Sequence, residues 1–259
     1  MESVCTERLG SVLRITLAQP QNMNCMTAGL CAALADAVAA AERDDAVRAV
    51  ILTGTGRAFC AGGDLNAIAG FADPAAAAAY VHEAGRAAEV IFCGKKPYVA
   101  AVNGAAAGAG FNLALACDFI LAAETAKFTQ AFSSVGLISD CGGNYLLPRA
   151  VGMQKAKELM MLPVMLSTKE AYDLGFVTRV VPNEELESAS LDFAAALAQR
   201  PPRALAACKR LVNREAARDF RDMCALEEEI QGQLAVGHDA KEGIAAFFEK
   251  RSAQFTGES

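Results

Sequence analysis

Apolar residues along this chain switch repeatedly between short strand-like runs and helical spacing, and the switches predict its elements. Val4–Leu9 and Val12–Leu17 read as two short strands around Gly10-Ser11, ending at Pro20. Thr27 caps a predicted helix running to about Arg43, with Leu30, Leu34 and Val38 at helical spacing. Residues 47–53 form a buried strand, 57–72 read as a loop, and Asp73-Pro74 opens an Ala-rich helix to about Cys93 with proline in its first turn. The theme then repeats: Tyr98–Val102 is a strand, 103–110 a turn of small residues, and 111–116 the start of a helix. Residues 119–122 and Lys127–Thr129 are further strands. Helical pieces follow over 142–152 and 154–162, with an interruption expected near Pro148. Ser167-Thr168-Lys169-Glu170 is a capping box, Gly175 lies just past that helix, and 176–181 is a last strand.

From Asn183 the character changes. Residues 184–199 read as one helix, Pro201-Pro202 breaks it, and 203–250 carry only helical patterns. The chain therefore divides into a strand-and-helix core over 1–199 and a helical part over 200–259. Strands separated by helices imply an α/β architecture with mainly parallel pairing and right-handed crossovers. An open sheet and a coiled one both satisfy this pattern.

Composition narrows the function classes. With 53% hydrophobic and 21% charged residues, the 259-residue chain suits a globular protein with a sizeable core. A net charge of −6 and scattered Lys and Arg argue against a nucleic-acid surface. No apolar run approaches the ~20 residues that span a bilayer, and Met1-Glu2-Ser3-Val4 shows neither region of a signal peptide, so a cytoplasmic protein is expected. The nine cysteines include no Cys-x-x-Cys pair and fit reduced, buried thiols. His82 and His238 are the only histidines, which leaves little for a His-based triad or zinc site.

Two segments carry candidate chemistry. Gly56-Arg57-Ala58-Phe59-Cys60-Ala61-Gly62-Gly63-Asp64-Leu65 follows one predicted strand. Asn103-Gly104-Ala105-Ala106-Ala107-Gly108-Ala109-Gly110-Phe111-Asn112 follows another. Small side chains let a ligand approach bare backbone N–H groups, and two N–H groups aimed at one carbonyl oxygen form an oxyanion hole. The plainer reading is that the glycines serve tight turns and close packing. A nucleotide site is disfavoured, because the third glycine of G-x-G-x-x-G is missing after Gly108 and Gly110, and no Gly-Lys-Ser/Thr occurs.

Both turns, together with Lys96-Pro97-Tyr98-Val99-Ala100-Ala101-Val102-Asn103-Gly104, resemble the signature of the crotonase (enoyl-CoA hydratase/isomerase) superfamily. The likeness continues in order through Ala116-Cys117-Asp118, Leu147-Pro148-Arg149 and 171–181 to Phe247-Phe248-Glu249-Lys250-Arg251. The resemblance implies a crotonase-like α/β spiral of strand–strand–helix repeats over 1–199, binding acyl-CoA. It further implies a helical oligomerisation region over 200–259, serving a homotrimer or a hexamer built as a dimer of trimers. It places the oxyanion amides at Gly63 and Ala109. The implied substrate-binding set is Ala61, Gly63, Asp64, Leu65, Asn66, Gly108, Ala109, Asn112 and Phe132. No cofactor or metal is implied, since coenzyme A arrives as part of the thioester substrate. Lys250 and Arg251 are candidates for coenzyme A phosphates on a neighbouring subunit, against the plain reading of a solvated helix face.

The family's hydratases activate water with two glutamates, whose positions match Asn112 and Phe132. Neither can act as a base. Asp140, in Gly136-Leu137-Ile138-Ser139-Asp140-Cys141-Gly142-Gly143, matches an aspartate carried by the family's dienoyl-CoA isomerases. The stretch from Phe128 through Leu147-Pro148-Arg149 is especially similar to the ring-epoxide phenylacetyl-CoA isomerases, which use that aspartate as acid/base. Ser139, where that subgroup has proline, and Asn144-Tyr145 depart from its pattern. The expected function is therefore an acyl-CoA isomerase that shuttles a proton through Asp140. The alternatives are an enoyl-CoA hydratase-like enzyme, an aryl-CoA dehalogenase-like enzyme (whose aromatic donor, such as Trp, is missing here), and a non-catalytic acyl-CoA-binding protein.

Other acids have plainer readings. Asp140 itself could cap a helix starting near Cys141, which would keep it ionised, whereas an apolar pocket with Phe132 and Leu137 would raise its pKa. Asp64 fixes its loop, Asp118 holds local backbone, and Glu83 and Glu89 lie on a solvated face of a helix that borders the acyl pocket in this family.

Overall fold

The computed structural model describes residues 3–213 and 216–256. β1 (Val4–Leu9) pairs antiparallel with β2 (Val12–Leu17), and α1 (Ala28–Arg43), capped by the Thr27 side chain, crosses to β3 (Ala49–Gly54), parallel to β2. From here a unit repeats. β3 is followed by a short strand, β4 (Ala58–Cys60), then by α2 (Leu65–Ala69) and α3 (Pro74–Cys93). β5 (Tyr98–Val102) is followed by β6 (Ala105–Ala107) and α4 (Ala109–Ala116). β7 (Phe119–Ala123) is followed by β8 (Lys127–Thr129), α5 (Gly143–Val151) and α6 (Met153–Met161). The first strand of each unit joins one sheet and the second joins another.

β9 (Leu166–Ser167), α7 (Thr168–Asp173) and β10 (Arg179–Val181) complete two sheets, ordered β1-β2-β3-β5-β7-β10 and β4-β6-β8-β9. This is the coiled arrangement: two sheets wound in step by strand–strand–helix repeats. Every residue of β5 is buried, as a parallel strand covered on both faces requires. α8 (Leu186–Ala198) lies over β2, β3, β5 and β7.

Several expectations are corrected. The turn expected at 103–110 contains β6, and the loop expected at 57–72 contains β4 and α2. Both strands are only three residues long, and their pairing is tertiary: Ala58 sits opposite Ala105, and Ala105 opposite Lys127. α4 begins at Ala109 rather than Phe111. Pro148 does not interrupt α5; the break falls at Gly152, with φ at 81°. The last strand begins at Arg179, not at 176.

The helices after residue 200 are α9 (Pro202–Val212), α10 (Ala216–Val236) and α11 (His238–Glu249). α10 and α11 bury apolar side chains against residues of 1–199. α10 runs along α3, and Phe220 is fully buried against Phe92 and Tyr145. Ala235, Ala240 and Ile244 join Ile68, Ala77, Val135 and Leu137 in a second apolar cluster. On α9 the Lys209 ammonium reaches into the core, bonding Asp118 at 2.7 Å and the carbonyls of Ile91 and Lys96. Asp118 also accepts the Tyr98 N–H at 2.8 Å, so it holds backbone as expected. Among the described residues, no helix is long and apolar enough to cross a membrane.

Candidate active site

Parallel pairing of β4 with β6 sets the turn 61–64 beside the turn 107–110. The approach is close enough to require glycine: Gly62 has φ at 92°, and a Cβ there would stand 2.7 Å from the Ala107 carbonyl oxygen and 3.5 Å from the Ala109 nitrogen. Each turn fixes one amide by fixing the carbonyl of the same peptide unit. The Gly62 carbonyl accepts from the Met26 N–H at 2.8 Å, and the Gly108 carbonyl accepts from the Asn112 N–H at 3.1 Å. In a planar trans peptide the N–H points opposite its carbonyl, so the Gly63 and Ala109 N–H groups are both turned away from these bonds. Ala109 is the first residue of α4, whose N–H has no intrahelical partner. Among the described residues neither N–H meets an acceptor of the chain.

The flanks of this pair are pinned. Tyr80 on α3 donates its hydroxyl to the Met26 carbonyl at 2.6 Å and accepts the Asp64 N–H at 2.9 Å. The Asp64 carboxylate caps α2 through the N–H groups of Asn66 and Ala67, which fixes the loop as expected. Leu65 and Asn66 form the first turn of α2, and the Ala61 N–H bonds the Met23 carbonyl at 3.0 Å. The Phe132 ring covers Gly108, with a carbon 3.4 Å from where a Cβ would be.

Asp140 is 6% exposed, and its Oδ1 is buried without a partner. Burial pushes its carboxyl up to about 7, against the opposing pull of hydrogen bonds from the Cys141 thiol, its own backbone amide and Gln231. The helix-cap reading is corrected: α5 starts at Gly143, its N-cap is Gly142 with φ at 76°, and no side chain of its own caps it. The cap comes instead from α10, where Glu227 accepts the Gly142 N–H at 2.8 Å and the Asn144 N–H at 3.1 Å. Burial also raises the Glu227 carboxyl to about 7, while these N–H bonds pull it down. Sequence reading missed Glu227 and Gln231, since both looked like ordinary polar positions of a long helix.

Asn112 lies under the site rather than in it. It is fully buried, and its amide is spent within the chain. Its Nδ2 donates to Ser139 Oγ at 2.9 Å and to the Asp140 carbonyl at 2.8 Å, while its Oδ1 accepts from Gln130 at 2.7 Å. These bonds anchor the backbone at Asp140. Ser139, which departs from the subgroup pattern, completes this network by donating to Gln130.

The remaining acids and bases sit elsewhere. Glu83 pairs with Arg86 at 2.8 Å and Glu89 with Arg221 at 2.5 Å, both part-exposed, so both glutamates occupy a solvated face. Arg251, one of the two candidates for coenzyme A phosphates, pairs with Glu242 and Glu249 on an exposed helix end. Lys250 is exposed beside it at the end of α11. His82 pairs with Glu228 at the surface.

The chain is similar to known proteins over nearly its whole length. The family model described as Enoyl-CoA hydratase/isomerase matches residues 7–258. The 1,2-epoxyphenylacetyl-CoA isomerase of Escherichia coli is 38% identical, with 99% of each chain covered. A protein of Rhodobacter capsulatus named a probable enoyl-CoA hydratase is 39% identical over 94% of this chain and 93% of its own. A solved structure of an enoyl-CoA hydratase from Mycobacterium avium subsp. paratuberculosis superposes with a TM-score of 0.90 at 31% identity, covering 98% of both.

Proposed function

The chain belongs to the enoyl-CoA hydratase/isomerase family, and from that premise we propose that it is an acyl-CoA isomerase working through Asp140. The carrying observation is a buried carboxyl, raised to about 7, with one oxygen that no protein group occupies. A general base poised near the working pH combines a useful ionised fraction with real basicity.

The reaction balances without water. The thioester carbonyl oxygen accepts the Gly63 and Ala109 N–H groups. Ionised Asp140 takes a proton from the α or the conjugated carbon, and the electron pair of that C–H bond flows into the carbonyl as the enolate. Asp140, whose acquired proton exchanges with solvent, then delivers a proton to the other end of the conjugated system, so a double bond moves and no atom is gained or lost on balance. Each amide is asked for about 2.7–4 kcal/mol of transition-state stabilisation. Coenzyme A is bound as part of the substrate, and the turns 61–66 and 107–110 with Phe132 form the thioester-proximal surface in this reading.

Hydration by two glutamates is disfavoured, because Asn112 is committed to an internal network and Phe132 has no titratable group. The relative named an isomerase supports the same choice. The reading also takes the protein as a homotrimer or a dimer of trimers, supported by exposed apolar side chains at Leu211, Val212, Phe247 and Phe248.

The experiment is incubation in deuterated water with β,γ-enoyl, dienoyl and ring-containing CoA esters. Deuterium entering the acyl chain together with a shifted double bond is expected. No exchange and no shift across that panel, or stoichiometric hydration, overturns the reading.

A further inference from the structure

Asp140 belongs to a segment that does not hold itself. Gly142 supplies no capping side chain, and Cys141 adopts φ at 51°, a left-handed conformation that costs a non-glycine residue ~1–2 kcal/mol. What holds the segment is one face of α10. Phe220, Glu227 and Gln231 are spaced by seven and four residues, which places them on a single helical stripe. Phe220 packs its ring against Gly142 so closely that a Cβ there would meet it at 2.0 Å. Glu227 takes the Gly142 N–H on one oxygen, and the Asn144 N–H and Asn144 Nδ2 on the other, at 2.8, 3.1 and 2.9 Å. The Asn144 amide continues to the Ser139 carbonyl at 2.7 Å. Gln231 accepts the Ile138 N–H at 3.0 Å, and its side chain exerts a weak downward pull on the Asp140 carboxyl. Glu227 and Gln231 are 1% and 2% exposed, so neither is a solvated surface residue.

We propose that Glu227 and Gln231 are the positioning residues of Asp140: they hold segment 138–144 on either side of Asp140 in the sequence and leave its buried Oδ1 without a protein partner. The inference rests on the isomerase reading. The pull of Gln231 favours the carboxylate, whereas ionised Glu227 repels a second negative charge nearby. Three N–H donors favour the charge on Glu227, and the repulsion is mutual, so the two acids titrate as a pair. The other titratable groups facing them are the thiols of Cys31 on α1, Cys141 beside Asp140 and Cys224 on α10, and the phenol of Tyr80 on α3; burial keeps all four neutral.

The test is the pH profile of solvent-deuterium exchange into an unsaturated CoA ester, measured for the full-length chain and three variants. Glu227→Gln is expected to move the lower limb of kcat down by roughly one pH unit, because the repelling charge is gone. Gln231→Leu is expected to move it up, because that pull is gone, and to leave the α5 cap intact. In both, KM is expected to stay near its original value, since neither residue reaches the thioester turns. A merely structural role for α10 lowers the rate at every pH and moves neither limb; that result, or shifts of the same sign, overturns the inference. If Glu227→Gln does not fold, the Gln231→Leu profile decides alone. Asp140→Asn separates the two readings. Exchange that survives it overturns the isomerase reading, whereas exchange abolished by it with unmoved limbs in the other two overturns the positioning pair only.

Discussion

The two halves of the candidate site are built by opposite means. The amide half is made of backbone, from two short turns whose neighbouring residues lock it: Met26, Tyr80 and the first turn of α4 hold Gly63 and Ala109 in place. The carboxyl half is a single side chain on a segment whose helix start has no cap of its own, and it is held by residues 85 and 93 positions away in sequence. Backbone donors are fixed once the fold is formed and do not titrate. A buried carboxyl responds to every charge and donor around it. The first half is expected to be robust and pH-independent, and the second sensitive to remote substitution and to pH.

That contrast can be broken at its strongest point first. Asp140→Asn should reduce isomerisation by about 10²–10⁴-fold, the usual contribution of a positioned acid/base, while acyl-CoA affinity measured by calorimetry stays within the wild-type range; lost affinity would mean that the two halves are not separable. Ala109→Pro attacks the other half with little collateral change, because proline is accepted at the first position of a helix and removes only an N–H without an intrahelical partner. It should cost about 2.7–4 kcal/mol of transition-state stabilisation, at all pH values alike, with a melting temperature near that of the parent.

Gly142→Ala should loosen the carboxyl half alone. It adds a side chain at φ 76° and against the Phe220 ring, at a cost of about 1–3 kcal/mol from overpacking, visible as a lowered melting temperature and a reduced kcat with unchanged KM. The pH dependence of stability gives a subtler measure. Asp140 and Glu227 are raised to about 7 in the folded chain, so their contribution is fully favourable below the ordinary carboxylate range and is lost as pH rises through 7. Melting temperature should therefore fall between about pH 4 and pH 7 through this pair, and Asp140→Asn should flatten that fall. The smallest effects belong to Glu83→Gln and Glu89→Gln, which break part-exposed ion pairs worth ~0–1 kcal/mol and should leave the exchange rate unchanged.

The same contrast explains what could be read from the residues. Strands with continuous apolar runs, such as Tyr98–Val102, and helices with their own caps, such as α1 behind Thr27, are local statements and were legible. So were the two turns themselves, because Gly62-Gly63 and Gly108-Ala109-Gly110 each place their small residues in one stretch. β6 was not legible. Ala105-Ala106-Ala107 has no strand propensity of its own and becomes a strand through β4 and β8 on either side. The start of α5 was misplaced for a related reason: its cap is Glu227, and no local pattern around Asp140 announces it. Asn112 was read by its place in a family pattern, whereas its burial and its bonds to Ser139, Gln130 and the Asp140 carbonyl are facts of packing.

The stripe on α10 also makes the two halves differ in what a break in the chain would do to them. Gly142 and Asn144 take their cap from a residue 85 and 83 positions further along, whereas the turns at 61–64 and 107–110 are held by partners that all precede residue 130. A single cut between α5 and α10 therefore leaves the turns joined to their supports by chain, while segment 138–144 keeps its cap only as long as α10 stays docked on α3.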